Sequence, residues 1–354
     1  MSTLVSICLV NYNYEKFIKE ALESALAQTY TNFELIICDN ASTDSSVNII
    51  KSYDDPRIRL YQNDINIPLY QNINNAVKKA RGDIITVLHS DDKYHQDFLQ
   101  EIVNAQIENP DKKVFVTGVN FWHSDEGRSI PCHPFSTGGI KHQHELIIRL
   151  ITGNIIGNGV NVAFHKDCTL GNELYSSKYK YSADYDLWLR LAEEHEFVYI
   201  HKILANYRIH GSNLSHTVNK NLDMVKESVS IALNSLKTSK ILSPEIKSNL
   251  NEIQENLFIM RAFSLGTSYK SGKLSRNMLN YLPEICPKIK KNPLWHISYL
   301  LTYLLAVNIS HKAFKLGALM GRIALFPYRS NIRRYVEKLI NDIENGLSLQ
   351  SYKT

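Results

Sequence analysis

Polar side chains follow three apolar runs in the first hundred residues. The clusters are Asn11–Tyr12, Asp39 and Asp91–Asp92. Carboxylates can hold a divalent cation or accept a proton, and an aromatic ring can stack on a planar ligand. These residue types suit the binding of a charged ligand and acid–base chemistry on it, provided that the fold brings them together.

The apolar runs before these clusters alternate with helical patterns. Residues 5–10, 33–39, 58–63 and 83–92 are predicted strands, because short continuous apolar runs are typical of buried parallel strands. Apolar residues recur at helical spacing between them. This repetition predicts an α/β fold with a mostly parallel sheet flanked by helices. Right-handed crossovers bring the carboxyl ends of the strands to one edge, where open α/β sheets bind ligands. We therefore expect the three clusters to converge on one crevice.

The rest of the chain divides by pattern and charge. Residues 114–217 are less regular, with a strand near 114–122, a helix near 144–154, a helix at 183–195 and closing strands before residue 210. From about Asn219 the pattern is helical. Residues 1–217 contain 20 Lys and Arg against 26 Asp and Glu, whereas residues 218–354 contain 20 against 9. We predict a catalytic domain over 1–217 and a basic helical region over 218–354, with different partners.

Composition excludes several classes of protein. With 44% apolar and 21% charged residues, the 354-residue chain is neither disordered nor collagen-like. Its five cysteines form no CxxC pair, which suits a reducing compartment and gives no zinc-site spacing. The first residues, MSTLVSICLVNYNYEKF, have no basic start before the apolar run, so we expect no signal peptide and a cytoplasmic location.

Four segments in order resemble the family 2 glycosyltransferases, which have the GT-A fold. They are residues 5–46, beginning VSICLVNYNYEKF, then ARGDIITVLHSDD at 80–92, ADYDLWLRL at 183–191 and YRIHGSNLS at 207–215. The resemblance covers about residues 4–215. It implies transfer of a sugar from a nucleotide-sugar donor, with inversion at the anomeric carbon.

The resemblance also implies a metal site. The family has an Asp-any-Asp triplet whose last acid binds the metal directly, and here the triplet is His89-Ser90-Asp91. Asp91 is the predicted ligand of Mn²⁺ or Mg²⁺, and His210 matches a position that completes the metal shell or touches the diphosphate. Asp92 points elsewhere on an extended chain and is predicted to cap or orient the next turn. His89 is either a weaker ligand or structural.

Seven residues are predicted to bind the nucleotide sugar by the same resemblance. They are Val10, Asn11, Tyr12, Asp39, Asp83, Ser90 and Arg208. Tyr12 would stack on the base or, alternatively, pack on the next helix. Asp39 would hydrogen-bond the base or cap the next helix. Asp83 would hold the nucleotide or fix a surface turn, and Arg208 would pair with phosphate.

Asp184 is the predicted general base. The family has a Glu-Asp pair at the start of this helix, and here the pair is Ala183-Asp184. At a helix N-terminus a carboxylate stays ionised and ready to accept a proton. Asp186 is the competitor, two residues on and facing elsewhere on the helix.

Together these predictions describe an inverting, metal-dependent glycosyltransferase acting on a hydroxyl of a saccharide or lipid-linked saccharide. The replacement of family acids by His89 and Ala183 leaves an alternative, a degenerate transferase acting as a nucleotide-sugar-binding or scaffold subunit. A nucleotidyltransferase is disfavoured because residues 11–17 contain no glycine, and a dinucleotide oxidoreductase because no GxGxxG follows a strand. We expect no nucleic-acid partner.

The C-terminal region leaves two interpretations open. Residues 294–309 are apolar but too short and too interrupted for a confident membrane span, and lysines and arginines flank them. This combination fits a helix lying in an anionic lipid interface on the inner face of the cell membrane. The alternative is a helical subdomain that packs on the α/β core or on a second copy of the chain.

Overall fold

The computed structural model describes residues 2–135, 139, 142–168, 173–213, 222–268 and 272–293, with positions 295, 296, 298, 334, 336–338, 340 and 341. The chain divides into two compact units. The first comprises Met1–Ile147 and Asn154–Asn213, and the second comprises Ile148–Gly153 and Leu214–Thr354. The domain boundary after residue 217 stays a prediction, because residues 214–221 lie outside those described.

A nine-stranded sheet forms the first unit. Its strands are β1 (Val5–Asn11), β2 (Phe33–Asp39), β3 (Ile58–Gln62), β4 (Ile84–His89), β5 (Lys93–Tyr94), β6 (Val114–His123), β7 (Arg128–Cys132), β8 (Val162–His165) and β9 (Phe197–Ile209). Their order is β3-β2-β1-β4-β8-β6-β9-β5, and β7 pairs with β6. The two predicted closing strands are a single strand, β9, whose pairing with β6 is irregular near Gly118.

The first four predicted strands form a parallel block. β1 lies between β2 and β4, and β2 also pairs with β3, all in parallel. Every residue of β1 and β2 is buried, as their uninterrupted apolar runs indicate. Beyond β4 the sheet is mixed, because β8 runs antiparallel to both β4 and β6, while β6 and β9 are parallel. The predicted α/β sheet with flanking helices is confirmed.

Six α-helices of the described residues belong wholly or partly to this unit. They are α1 (Ile18–Leu26), α2 (Ser46–Lys51), α3 (Leu69–Lys79), α4 (Phe98–Glu108), α5 (Gln143–Thr152) and α6 (Ala183–Glu194). Helix α1 buries Ile18, Ala21, Leu22 and Ala25, the apolar positions spaced three or four residues apart. These side chains and those of α4 share one hydrophobic core with β1, β2 and β4. This core fixes the strands whose ends carry the predicted site.

The second unit is helical in its described part. It contains α7 (Asp223–Thr238), α8 (Pro244–Ser268) and α9 (Gly272–Ile285), and α8 packs against both of the others. A bidentate pair joins Arg149 to Glu337 at 3.0–3.1 Å. Among the described residues, no helix has the length and apolar character needed to cross a membrane. Most of the basic and apolar segment 294–334 lies outside the described residues, so lipid contact stays a prediction.

Candidate active site

The parallel register places the carboxyl ends of β1, β2 and β4 side by side. Asn11 at the end of β1 lies opposite Asp39 in β2, and Val10 lies opposite His89 in β4. The polar clusters that follow these strands therefore meet at one edge of the sheet, as the sequence predicted.

Asn11 and Asp39 form a buried network. The Asn11 amide donates to Asp39 Oδ1 at 2.7 Å, and the amide and hydroxyl of Ser42 donate to the same carboxylate at 2.9 and 2.6 Å. Asp39 thus fixes the turn after β2, ahead of helix α2, whose N-cap is Ser45, and its contact with a base stays a prediction. Asn11 Oδ1 is buried without a hydrogen-bond partner. The network leaves one polar acceptor of this edge unsatisfied.

Tyr12 lies next to this network and is 40% exposed. The residue after it, Asn13, has the left-handed φ of 55° and accepts a hydrogen bond from the Thr43 amide at 2.8 Å. This turn holds the chain after β1 against the chain after β2. The ring of Tyr12 is therefore presented at the surface of the edge, outside the core. Its stacking on a base stays a prediction.

The chain after β4 is tied to β1. Ser90 Oγ donates to the Val10 carbonyl at 2.7 Å, and both residues are buried. The two predicted nucleotide-binding residues therefore contact each other. Their contact fixes the direction in which the chain leaves β4 towards Asp91.

Asp91 and His210, the two predicted metal ligands, are in contact although 119 positions separate them. His210 Nε2 lies 3.1 Å from Asp91 Oδ2, and Asn213 Nδ2 donates to the same oxygen at 3.2 Å. The other ring nitrogen, Nδ1, lies 2.8 Å from Ser212 Oγ, which sets the orientation of the imidazole. The Phe17 ring packs on it with centroids 4.5 Å apart. The structure thus builds a rigid carboxylate–imidazole pair.

Arg208 is locked in place beneath this pair. Its Nε donates to the Asp91 carbonyl at 2.8 Å, and its Nη2 pairs with Glu20 at 3.0 Å. The guanidinium also lies over the rings of Phe17 and Trp122, at 4.8 and 3.9 Å from their centroids. Only 5% of the side chain is exposed. Arg208 therefore positions Asp91 in this structure, and its predicted contact with phosphate stays a prediction.

Asp92, the residue after Asp91, accepts two hydrogen bonds. The Arg208 amide donates to its Oδ1 at 2.9 Å and Asn158 Nδ2 donates to its Oδ2 at 3.0 Å. These contacts agree with the predicted role of Asp92 in orienting the neighbouring chain. Burial and the neighbouring charge of Asp91 raise the pKa of Asp92 well above its ordinary value. Asp92 joins the end of β4 to the turn that contains Asn158.

That turn reaches helix α6. Gly157 and Gly159 have φ of 85° and 86°, a left-handed conformation that favours glycine. Trp188 Nε1 donates to the Gly157 carbonyl at 3.0 Å, and a Cβ added to Gly159 would lie 2.5 Å from the Trp188 ring. The turn at 157–159 therefore contacts Asp92 through Asn158 and packs against Trp188 of α6.

Asp184, the predicted base, is half-buried in the first turn of α6. The Tyr70 hydroxyl donates to its Oδ1 at 3.2 Å, and the Tyr185 amide donates to the same atom at 2.8 Å. Helix α3, which carries Tyr70, begins after the carboxyl end of β3 and packs on β1 and β2. Asp186 instead forms an ion pair with Arg190 at 2.7 Å. The competitor for the base role is thus engaged in a pair within its own helix.

Asp83 requires a correction. It precedes β4 at the end opposite to Asp91, where its amide donates to the Leu4 carbonyl at 2.8 Å and its side chain is exposed. A strand of six residues separates it from the carboxyl edge. The adjacent Gly82 is required by packing, because a Cβ there would lie 2.6 Å from the Leu4 carbonyl oxygen. The structure does not bring Asp83 to this site and places it in a surface turn, the alternative interpretation.

His89 stands at the end of β4, two residues before Asp91. It is half-buried, and loss of hydration lowers its pKa, although the charge of Asp91 acts in the opposite direction. The imidazole is therefore neutral near pH 7.

Sequence reasoning missed several residues that hold the site. Nothing in the sequence alone assigns a role to Tyr70, Asn158 or Asn213. The Gly-Asn-Gly triplet at 157–159 was a usable signal, because paired glycines around an asparagine indicate a tight turn. Tyr70 had no such signal, since its contact with Asp184 spans 114 positions.

The residues present fit a divalent cation. Among those described, no group of three or more His, Cys, Asp or Glu side chains is arranged to hold a metal ion. Two protein ligands suffice where a bound diphosphate and water supply the others. The Asp91–His210 pair offers one carboxylate oxygen and one imidazole nitrogen, and such a mixed set suits Mn²⁺ better than Mg²⁺, which prefers oxygen ligands.

Comparison with known proteins identifies the family. Residues 6–166 match the sequence model described as Glycosyl transferase family 2. Residues 6–166 belong to glycosyl transferase family 2. This glycosyltransferase is 30% identical over 275 residues to the chondroitin synthase of Pasteurella multocida, a match covering 72% of this chain and 26% of that protein. It therefore spans about a quarter of that relative's length.

Solved structures confirm the GT-A-like fold class. The glycosyltransferase is similar to residues 1–349 of Staphylococcus aureus TarS in complex with UDP, with a TM-score of 0.60, 16% identity and coverage of 90% of this chain and 91% of that one. It is also similar to a mannosyltransferase of Pyrobaculum calidifontis in complex with GDP-Man and Mn²⁺, with a TM-score of 0.53, 14% identity and coverage of 90% and 87%. At these identities the similarity establishes the fold.

Proposed function

We propose that this glycosyltransferase is metal-dependent and inverting, and that it transfers a sugar from a nucleotide-sugar donor to a hydroxyl of a saccharide or lipid-linked saccharide. The contact between Asp91 and His210 at the carboxyl edge of the parallel strands carries the proposal. It joins two remote segments of the family motif, at the edge of the sheet where the parallel strands β1 and β2 also end.

Asp91 and His210 would hold the divalent cation. A cation bound there would neutralise the negative charge that develops on the leaving diphosphate. The chain's own contribution is to hold Asp91, because Arg208 donates to its carbonyl and Asn213 donates to its carboxylate. The Mn²⁺ complex of the structurally similar mannosyltransferase supports this assignment.

The nucleotide would occupy the edge formed by the ends of β1 and β2. Exposed Tyr12 offers a face for the base, and the network of Asn11 and Asp39 offers polar groups for its edge. The UDP bound to TarS and the GDP-Man bound to the mannosyltransferase support a nucleoside diphosphate sugar as donor. The chondroitin synthase relative supports a saccharide acceptor.

Asp184 would accept the proton of the attacking hydroxyl. Attack on the anomeric carbon from the face opposite the diphosphate inverts its configuration, and the proton passes to the Asp184 carboxylate. Its position at the start of α6 favours the ionised form, and the neighbouring acid Asp186 is neutralised by Arg190.

The test is a donor panel with matched variants. Release of nucleoside diphosphate from UDP-GlcNAc, UDP-glucose and GDP-mannose is measured with Mn²⁺, Mg²⁺ or EDTA. We expect EDTA to abolish release, Mn²⁺ to restore it better than Mg²⁺, and Asp91→Asn and Asp184→Asn each to lower it at least 100-fold. Asp111→Asn, an exposed carboxylate beside Lys112, is the control and should match the wild type.

The outcomes separate the possibilities. Retention of activity in EDTA would contradict metal dependence, and retention in Asp184→Asn would contradict the assignment of the base. Binding of UDP without turnover of any donor, whatever the acceptor mixture, would instead favour the degenerate scaffold that His89 and Ala183 suggest.

A further inference from the structure

Helix α3 holds the segment that carries the proposed base. Tyr70, in its first turn, is buried, and its ring stacks on that of Tyr175 with centroids 5.4 Å apart and planes 17° from parallel. Asn74, one turn further on, donates to the Tyr175 carbonyl at 2.8 Å and accepts from the Tyr175 amide at 2.9 Å. The main chain before α6 is therefore clamped on α3 by both polar and ring contacts.

The Tyr70 hydroxyl lies between two acceptors of this segment. It is 3.1 Å from the Tyr181 carbonyl oxygen and 3.2 Å from Asp184 Oδ1. A phenol has one proton, so the two acceptors share it. The same hydroxyl thus touches the turn that starts α6 and the carboxylate in its first turn.

We propose that Tyr70 is a positioning residue for Asp184, with its hydroxyl fixing both the carboxylate and the turn that presents it. This inference rests on the proposed function, in which Asp184 is the base. Tyr70 and the Tyr185 amide both donate to Oδ1, and together they set the plane of the carboxylate and hence the position of Oδ2. A base must stand within hydrogen-bond reach of the proton that it removes, so the orientation of this plane controls turnover.

The surroundings of Tyr70 agree with this role. Burial and the charge of Asp184 raise the pKa of Tyr70 well above its ordinary value, so the hydroxyl keeps its proton and remains a donor. The ring is held by Tyr175, which limits its freedom to follow a displaced carboxylate. Among the described residues, the hydrogen bonds and ring stacking of Tyr70 involve Tyr175, Tyr181 and Asp184, none of which is proposed to bind the nucleotide or the cation, so its loss should act on turnover.

The test uses Tyr70→Phe, which removes the hydroxyl and keeps the stacked ring. Tyr30→Phe is the matched control, because the Tyr30 hydroxyl also donates to a main-chain carbonyl, that of Thr3, before the start of β1 and away from the site. Turnover and KM are measured with the sugar nucleotide that the wild type consumes in the panel above. UDP binding with Mn²⁺ and the melting temperature are measured in parallel.

We expect Tyr70→Phe to lower kcat about 5- to 30-fold, with KM for the donor and affinity for UDP within twofold of the wild type. Its melting temperature should change no more than that of Tyr30→Phe, which should keep full turnover. Wild-type kcat in Tyr70→Phe beside an inactive Asp184→Asn would overturn the inference and leave the proposed function standing. A parallel loss of kcat, UDP affinity and melting temperature would overturn it in favour of a structural role. An active Asp184→Asn would overturn the base assignment itself.

Discussion

Gly159→Ala should damage both stability and turnover, because the residue occupies a position that admits no side chain. Its φ is 86°, and an added Cβ would lie 2.5 Å from Cζ2 and 2.9 Å from Cη2 of Trp188. The ring cannot retreat easily, since it is 1% exposed and its Nε1 donates to the Gly157 carbonyl. Either the turn at 157–159 or helix α6 must move.

The expected loss of folding stability in Gly159→Ala has two parts. A non-glycine residue in the left-handed region costs about 1–2 kcal/mol, and overpacking a filled core costs about 1–3 kcal/mol more. Gly157→Ala separates the two parts, because Gly157 has the same conformation, φ 85°, and nothing within 4 Å of an added Cβ. We expect about 2–5 kcal/mol of lost stability for Gly159→Ala and about 1–2 kcal/mol for Gly157→Ala.

Urea unfolding followed by tryptophan fluorescence measures both losses, and release of nucleoside diphosphate measures activity. Gly159→Ala should also lower kcat more than Gly157→Ala, because Trp188 lies one turn after Asp184 in α6. Equal free energies of unfolding for the two variants would refute the reasoning, since they would show that the Trp188 ring yields without cost.

Two further predictions concern carboxylates away from the site. Burial raises the pKa of Glu34. Hydrogen bonds from the Arg81 amide, Ser6 and Arg59 outweigh this effect and hold the pKa below its ordinary value. Its stabilising contribution is therefore full above about pH 4.3 and is lost as the pH falls through the lowered folded-state value. Glu34→Gln should cost about 1–3 kcal/mol at pH 7 and much less at pH 3, measured by urea unfolding, and a pH-independent difference would contradict this. Asp83→Asn should leave kcat and donor KM within twofold of the wild type, and a raised donor KM would return Asp83 to the nucleotide site.

The fold and the meeting of the polar clusters followed from sequence because both depend on local pattern and chain chirality. Short, largely apolar runs at 5–10, 33–39 and 83–92 are typical of buried parallel strands, and right-handed crossovers then place their carboxyl ends together. The register of Asn11 with Asp39 is a consequence of that geometry. The mixed half of the sheet is harder to predict from sequence, because no local feature of β8 indicates that it runs antiparallel to β4.

The errors and omissions arose where tertiary packing decides. Asp83 precedes β4, so the direction of the strand alone places it at the opposite edge from Asp91. The prediction that it binds the nucleotide depended on its resemblance to a family turn and disagrees with that direction. Arg208 has the type of a phosphate ligand, yet Phe17 and Trp122 bury its guanidinium. Tyr70 acts across more than a hundred positions, and no spacing in the sequence indicates such a contact.

Asp92 joins the two halves of the candidate site. Its two carboxylate oxygens take hydrogen bonds from β9, through the Arg208 amide, and from the turn at 157–159, through Asn158. That turn packs in turn on Trp188, in the helix that carries Asp184. Asp92 therefore links the strand that leads to His210 with the turn that packs on the helix of the proposed base. A glycosyl transfer needs both groups in place at once, and the contacts of Asp92 and of the turn at 157–159 join the segments that carry them.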